Sequence, residues 1–74
     1  MFGDLKMAII KVAHDVSEEA IARINILREQ VLNHDCDWSG AEITIERGEF
    51  TCVECTDEIA GSQLLAKVQK AIAD

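Results

Sequence analysis

The sequence predicts an α+β domain of order βαββα, a three-stranded antiparallel sheet with two helices on one face. Two patterns carry that expectation: three short stretches have a strand's length and character, one an apolar run and two with an apolar and a polar side, and apolar residues recur every three or four positions along two longer ones. A third observation sets the scale. The chain has 74 residues, about half of a common domain of roughly 100 to 150, so residues 1–74 are read as one domain. It contains no proline, and no repeat or low-complexity tract marks a linker.

The elements follow in order. Lys6 to Ala13 is apolar and rich in β-branched residues over a strand's length, which suits a first strand better than a helix. His14, Asp15, Val16 and Ser17 follow as a turn. Ser17 is placed to cap a helix whose first turn holds Glu18 and Glu19, both favourable at the positive end of the helix dipole; Asp15 with Glu18 is an alternative capping box. That helix runs to about Asn33 with Ala20, Ile24, Leu27 and Val31 as its buried stripe and Ile21 and Arg28 on its flanks. His34 to Gly40 is a polar loop carrying one tryptophan, Trp38.

Next comes a hairpin pattern, Glu42 to Glu46 and Glu49 to Cys55 around a turn at Arg47-Gly48. In that register Ile45 faces Phe50 and Ile43 faces Cys52 on an apolar side, while Glu42, Thr44, Glu46, Glu49, Thr51 and Val53 make the solvated side. Asp57 caps a last helix to about Ala73 whose inner stripe is Leu64, Leu65, Val68 and Ile72. Gly61 in its first turns costs up to about 1 kcal/mol relative to Ala. The order βαββα matches a ferredoxin-like βαββαβ unit without its last strand. That likeness puts the third strand between the other two and leaves the first strand at an edge.

Composition narrows the function. Hydrophobic residues are 49% of the chain but aromatics only 4%, so the core is aliphatic. A chain near 60 residues buries only about 60% of its unfolded surface, which leaves little core to wall an enclosed substrate cavity, and an enzyme is not expected. The net charge of −7 argues against direct nucleic-acid binding, because a phosphate backbone is held by Lys and Arg. No apolar run approaches the ~20 residues of a membrane span, and Met1 to Lys6 lacks the basic start of a secretion signal. Three cysteines without such a signal suit free thiols in a reducing compartment. The expectation is a cytoplasmic protein with no membrane partner.

Few motifs carry chemistry. His34, Cys36, Cys52 and Cys55 are the residue types of a tetrahedral structural zinc site, which is the alternative reading. Against it, residues three apart in a strand point to opposite faces, so Cys52 and Cys55 would need a knuckle turn that no glycine supplies. The same pair as a redox dithiol is disfavoured by Glu54, Asp57 and Glu58, whose charge opposes a thiolate. His14 and His34 are read as solvated ends of elements. No cofactor is expected, and the four glycines are scattered rather than gathered in a phosphate loop.

Charge distribution says more. From Glu29 to Glu58 there are nine acidic residues against a single basic one, Arg47, so the excess of negative charge belongs to the loop and hairpin. Asp35, Asp37, Glu42, Glu46 and Glu49, with Trp38 as an anchoring ring, are the candidate partner-binding residues, steering toward a basic protein surface such as that of a nucleic-acid-binding protein. A ring folded over the core is the competing reading of Trp38. The size and acidity resemble those of phage-encoded nucleic-acid mimics that block host defence nucleases, a likeness of composition that implies an inhibitory, non-enzymatic role. Met7 and Ile9 are apolar on the side away from Ala8, Ile10 and Val12, which suggests a homodimer through an edge strand unless Phe2 and Leu5 cover them. A structural homo-oligomer is the further alternative.

Overall fold

The computed structural model describes residues 6–73. Phe2 and Leu5, considered as a cover for the first strand, lie outside the described residues. The order is β1 (Met7–Ala13), α1 (Glu18–His34), a short 3-10 helix (Cys36–Trp38), β2 (Glu42–Gly48), β3 (Cys52–Cys55) and α2 (Glu58–Ala73). The α+β composition, three strands and two helices, is as the periodicities predict.

Each helix starts where a short polar side chain satisfies its orphan N–H groups. Ser17 Oγ accepts from the Ala20 N–H at 3.1 Å, so Ser17 rather than Asp15 is the cap of α1. Asp57 Oδ1 accepts from Ile59 at 3.0 Å and Ala60 at 3.1 Å at the start of α2. The inner stripes also match: Ala20, Ile24 and Val31 of α1 and Leu64 and Val68 of α2 are buried, with Leu27, Leu65 and Ile72 half-buried beside them.

The sheet is wired differently from the expected hairpin. Its order is β2-β1-β3, with β1 parallel to β2 and antiparallel to β3, so it is mixed rather than antiparallel. The first strand is central, so it offers no free edge along which Met7 and Ile9 could pair with a second copy, and the third strand does not lie between the others. Two physical reasons account for this. A two-residue hairpin of the favoured kind needs positive φ in its turn, yet among the described residues only Gly40, at φ 77°, is in that region; Arg47-Gly48 therefore continues β2. Centre position also suits the most apolar strand: Ala8, Ile10 and Val12 are at most 3% exposed, and a strand flanked on both sides is the best shielded.

Arg47 clamps the end of β2 instead of turning it. Its guanidinium donates to the carbonyls of Ala13 at 2.9 Å and Val16 at 2.8 Å and to Glu18 Oε1 at 3.2 Å. The chain then passes beyond the end of β1 through Glu49 to Thr51, where Thr51 Oγ1 accepts the Ala13 N–H at 3.2 Å. Phe50, expected to face Ile45 in the core, is 66% exposed on this connection.

Side-chain parity on β3 is reversed by the same change. Val53 is paired with Ile10 and Cys55 with Ala8, so both face the helices, while Cys52 and Glu54 face away. Cys52 is thus not the neighbour of Ile43 in the core, and Val53 is not on the solvated side. Cys55 explains Gly61: a Cβ at position 61 would lie 2.8 Å from the Cys55 Cβ, so the glycine is what lets α2 approach β3.

Gly61→Ala is therefore expected to destabilise the fold by about 1 to 3 kcal/mol, despite Ala being the better helix former, whereas Ser62→Ala on the exposed side is neutral within about 0.5 kcal/mol. Leu64→Ala and Ile24→Ala should each cost about 2 to 5 kcal/mol and Lys67→Ala far less. Urea denaturation of the five variants checks these values, and an unchanged midpoint for Gly61→Ala would contradict the close approach.

Candidate functional site

With both helices on the side of Ala8, Ile10 and Val12, no helix or strand among the described residues covers the other face of the sheet. Strand alternation and register decide what it displays. Met7, Ile9 and Lys11 run along central β1; Glu42, Thr44 and Glu46 lie opposite them on β2, and Glu54 and Cys52 lie opposite Ile9 and Lys11 on β3. Strand spacing puts the two outer rows about 10 Å apart, and Glu42 and Glu46 about 13 Å apart along β2. The result is an apolar floor with acidic sides. Met7 is 52% exposed, and a depression of about 380 Å³ is lined by Met7, Ile9, Glu42, Thr44, Glu54 and Thr56 among others.

Lys11 is the basic residue of this face. Its Nζ lies 3.1 Å from Glu54 Oε2, and that hydrogen bond, with the attraction of the same carboxylate, holds the ammonium above its ordinary value of 10.5. A raised lysine adds stability that is complete below the ordinary value and is lost as pH climbs through the higher one. Glu54 is a wall residue that the hairpin register misses, because that register sets Val53 rather than Glu54 on the open side. The alternation of Val53 and Cys55 against Cys52 and Glu54 is the signal that finds it.

The other candidates are spread over this face and its surroundings. Glu42 and Glu46 are on the open face, and Glu49 is exposed on the connection after β2. Among the described residues none of the three, nor Asp37, is in an ion pair. Asp35 caps, and Asp37 sits in, the 3-10 segment that leads into β2. Asp35 Oδ1 accepts the Asp37 N–H at 3.0 Å, and its other oxygen is 3.8 Å from Lys67 Nζ, so this carboxylate is engaged in the fold.

Trp38 is 3% exposed and belongs to the core cluster. The reading of this ring as an exposed anchor gives way to the competing one, a lid on the aliphatic core. Lys6 reinforces the lid. Its Nζ lies 5.0 Å from the ring centroid and donates to the Asp37 carbonyl, joining a cation–π contact to a hydrogen bond.

The residues of the zinc reading are placed apart in orientation. Cys52 faces the open side, Cys55 faces α2, and His34 and Cys36 line a depression with Asp35 and Lys67 at the end of α1. Among the described residues no three His, Cys, Asp or Glu side chains gather so as to hold a metal ion. All three cysteines are free thiols. His14 is exposed in the turn after β1, and His34 is exposed at the last position of α1. Among the described residues no helix is long and apolar enough to cross a membrane.

No protein-family model matches the chain, and no curated protein or solved structure matches it. Geometry and charge are therefore what bear on function.

Trp38→Ala should lower stability by about 3 to 5 kcal/mol, the usual cost of emptying an aromatic core site, as read by chemical denaturation; a change within about 0.5 kcal/mol would mean the ring is not a lid. Glu54→Gln should move the Lys11 titration down toward its ordinary value, a shift that NMR of the lysine side chain can follow.

Proposed function

We propose that the chain is a non-enzymatic binding or inhibitory module of the cytoplasm that docks a basic protein surface on the open face of its sheet. The observation that carries this reading is the pairing of an apolar floor, exposed Met7 and half-buried Ile9, with the exposed acidic side chains of Glu42 and Glu46. An exposed apolar surface rimmed by charge is the common form of a docking site, and the sign of the rim selects a basic partner. A nucleic-acid-binding protein is the chemical class that fits, since its own surface is built to meet dense negative charge. Glu49, Asp35 and Asp37 extend the negative field beyond the contact itself. Trp38 serves by holding the entry to β2 in place rather than by touching the partner.

The shallow, open form of the face supports association rather than catalysis, since enclosed polar groups are what give a catalytic site its electrostatic leverage. The likeness in size and acidity to phage nucleic-acid mimics is in keeping with an inhibitory role.

The test uses the partner recovered with the original chain from its native host. Glu42, Glu46 and Glu49 changed together to Gln should slow association about tenfold or more at low salt and flatten the dependence of affinity on ionic strength, because steering falls with the charge that produces it. Ile9→Lys should act on dissociation instead. Equal affinities and parallel salt slopes for the original and the triple variant would end the proposal.

A further inference from the structure

With β1 at the centre, the two edges of the sheet are β2 and β3, and β2 is the longer of them. The Glu42 N–H donates to the Lys6 carbonyl at 3.0 Å, and in a parallel pair alternate residues turn their N–H and C=O toward the neighbour. Glu42, Thr44 and Glu46 therefore bond inward, while Ile43, Ile45 and Arg47 present theirs outward. Among the described residues one hydrogen bond reaches this outer row, a long one of 3.4 Å from Arg28 Nη1 to the Ile43 carbonyl. The Nε of the same guanidinium is buried with no acceptor. β2 is seven residues long and contains no Pro; its charged residues Glu42, Glu46 and Arg47 restrict which partner strand and register the edge accepts.

The flank of α1 above this edge is also incompletely covered. Ile21, Arg28 and Leu32 fall on one side of the helix by its 3.6-residue turn, opposite Arg23, whose Nε bonds the Ala71 carbonyl of α2 at 2.8 Å. Ile21 and Leu32 are only half-buried. A strand added to β2 would bring apolar cover to both.

We propose that a second copy of this chain pairs antiparallel along β2 about a two-fold axis, with Ile45 opposite Ile45, giving one continuous sheet with the two α1 helices side by side. Charge selects the register. Centred on Ile45, Glu42 meets Gly48, Ile43 meets Arg47 and Thr44 meets Glu46 of the second copy, so no like charges lie opposite one another. Centring on Thr44 would set Glu42 against Glu46 on both sides of the axis, and centring on Glu46 would set that residue against itself, both unfavourable. The chosen register also matches each outward N–H of one strand with an outward C=O of the other. The edge is self-complementary, as a two-fold interface requires. This pairing uses the strand edge rather than the open face and stands independently of the basic-partner reading.

Sedimentation and amide hydrogen exchange under reducing conditions, from about 10 μM to 1 mM protein, test it. The expected result is a monomer–dimer equilibrium in which the amides of Ile43, Ile45 and Arg47 gain protection as dimer forms. A Thr44 Hα to Glu46 Hα contact between labelled and unlabelled copies would fix the register. Thr44→Lys, on the open face and away from the core, should tighten the dimer about two- to tenfold by opposing Glu46 of the other copy, and Thr44→Glu should loosen it by a similar factor. A monomer throughout with those three amides unprotected overturns the proposal, as does a dimer that leaves them unprotected or ignores both substitutions. Neither outcome alters the salt slope by which docking of a basic partner is read.

Discussion

Each ladder of the sheet runs through β1. β2 and β3 never touch one another in the ladder, so they share a sheet only because β1 bonds one on each side. Its inward row, Ala8, Ile10 and Val12, is the floor on which Ile24 of α1 and Leu64 and Val68 of α2 rest in a single apolar cluster. The outward row, Met7, Ile9 and Lys11, is the floor of the open face. The strand thus organises the core and the candidate docking surface at once, and a change in its position would redraw both. The proposed docking role accounts for a strand that is apolar on both sides, a feature that one-sided burial does not require.

Negative charge is distributed unevenly in its purpose. Asp57 and Asp35 are spent on backbone N–H groups, Glu54 on Lys11, Glu18 on Arg47. Such caps and paired ions serve the fold, and exposed pairs of this kind contribute little individually. Glu42, Glu46 and Glu49 are exposed on β2 and the connection beyond it and are in no ion pair among the described residues, although Lys11, cross-strand from Glu46, feels the charge of that carboxylate. This separation gives the acidic face its functional interest, because surplus charge kept on one surface is available to a partner.

Local chemistry was legible in the chain where the relevant interactions are local. Caps at Ser17 and Asp57 and the helical stripes follow from spacing alone, and so does the outward display of Met7 and Ile9. Strand order was not, because pairing between Met7 and Glu42 or Ala8 and Cys55 leaves no mark on nearby residues. The Arg47-Gly48 pair resembles a turn by composition, but lacks the backbone conformation that closes one. Once the hairpin is assumed, Phe50 is drawn into the core and β3 slips by one residue, exchanging Cys52 and Glu54 with Val53 and Cys55. Trp38 illustrates the same limit: acids flank it in sequence, yet its ring turns inward to the aliphatic cluster. Gly61 looks like a cost to α2 until the close approach of Cys55 is known.

A strand that is early in the chain and central in the sheet has a consequence during synthesis. At roughly 5 to 20 residues per second, the ribosome needs on the order of a few seconds to travel from Met7 to Cys55, the span separating β1 from its later neighbour. Helix α1 can form from local contacts in that interval, but the strand has no ladder until Glu42–Gly48 emerges and lacks its second flank until β3 follows. Both of its apolar rows are meanwhile presented to the surroundings. High sequence separation slows the closing step further, as loop entropy is lost before the pairing is gained. The strand Met7–Ala13 is consequently most open to misassociation in the interval before β2 and then β3 become free to flank it.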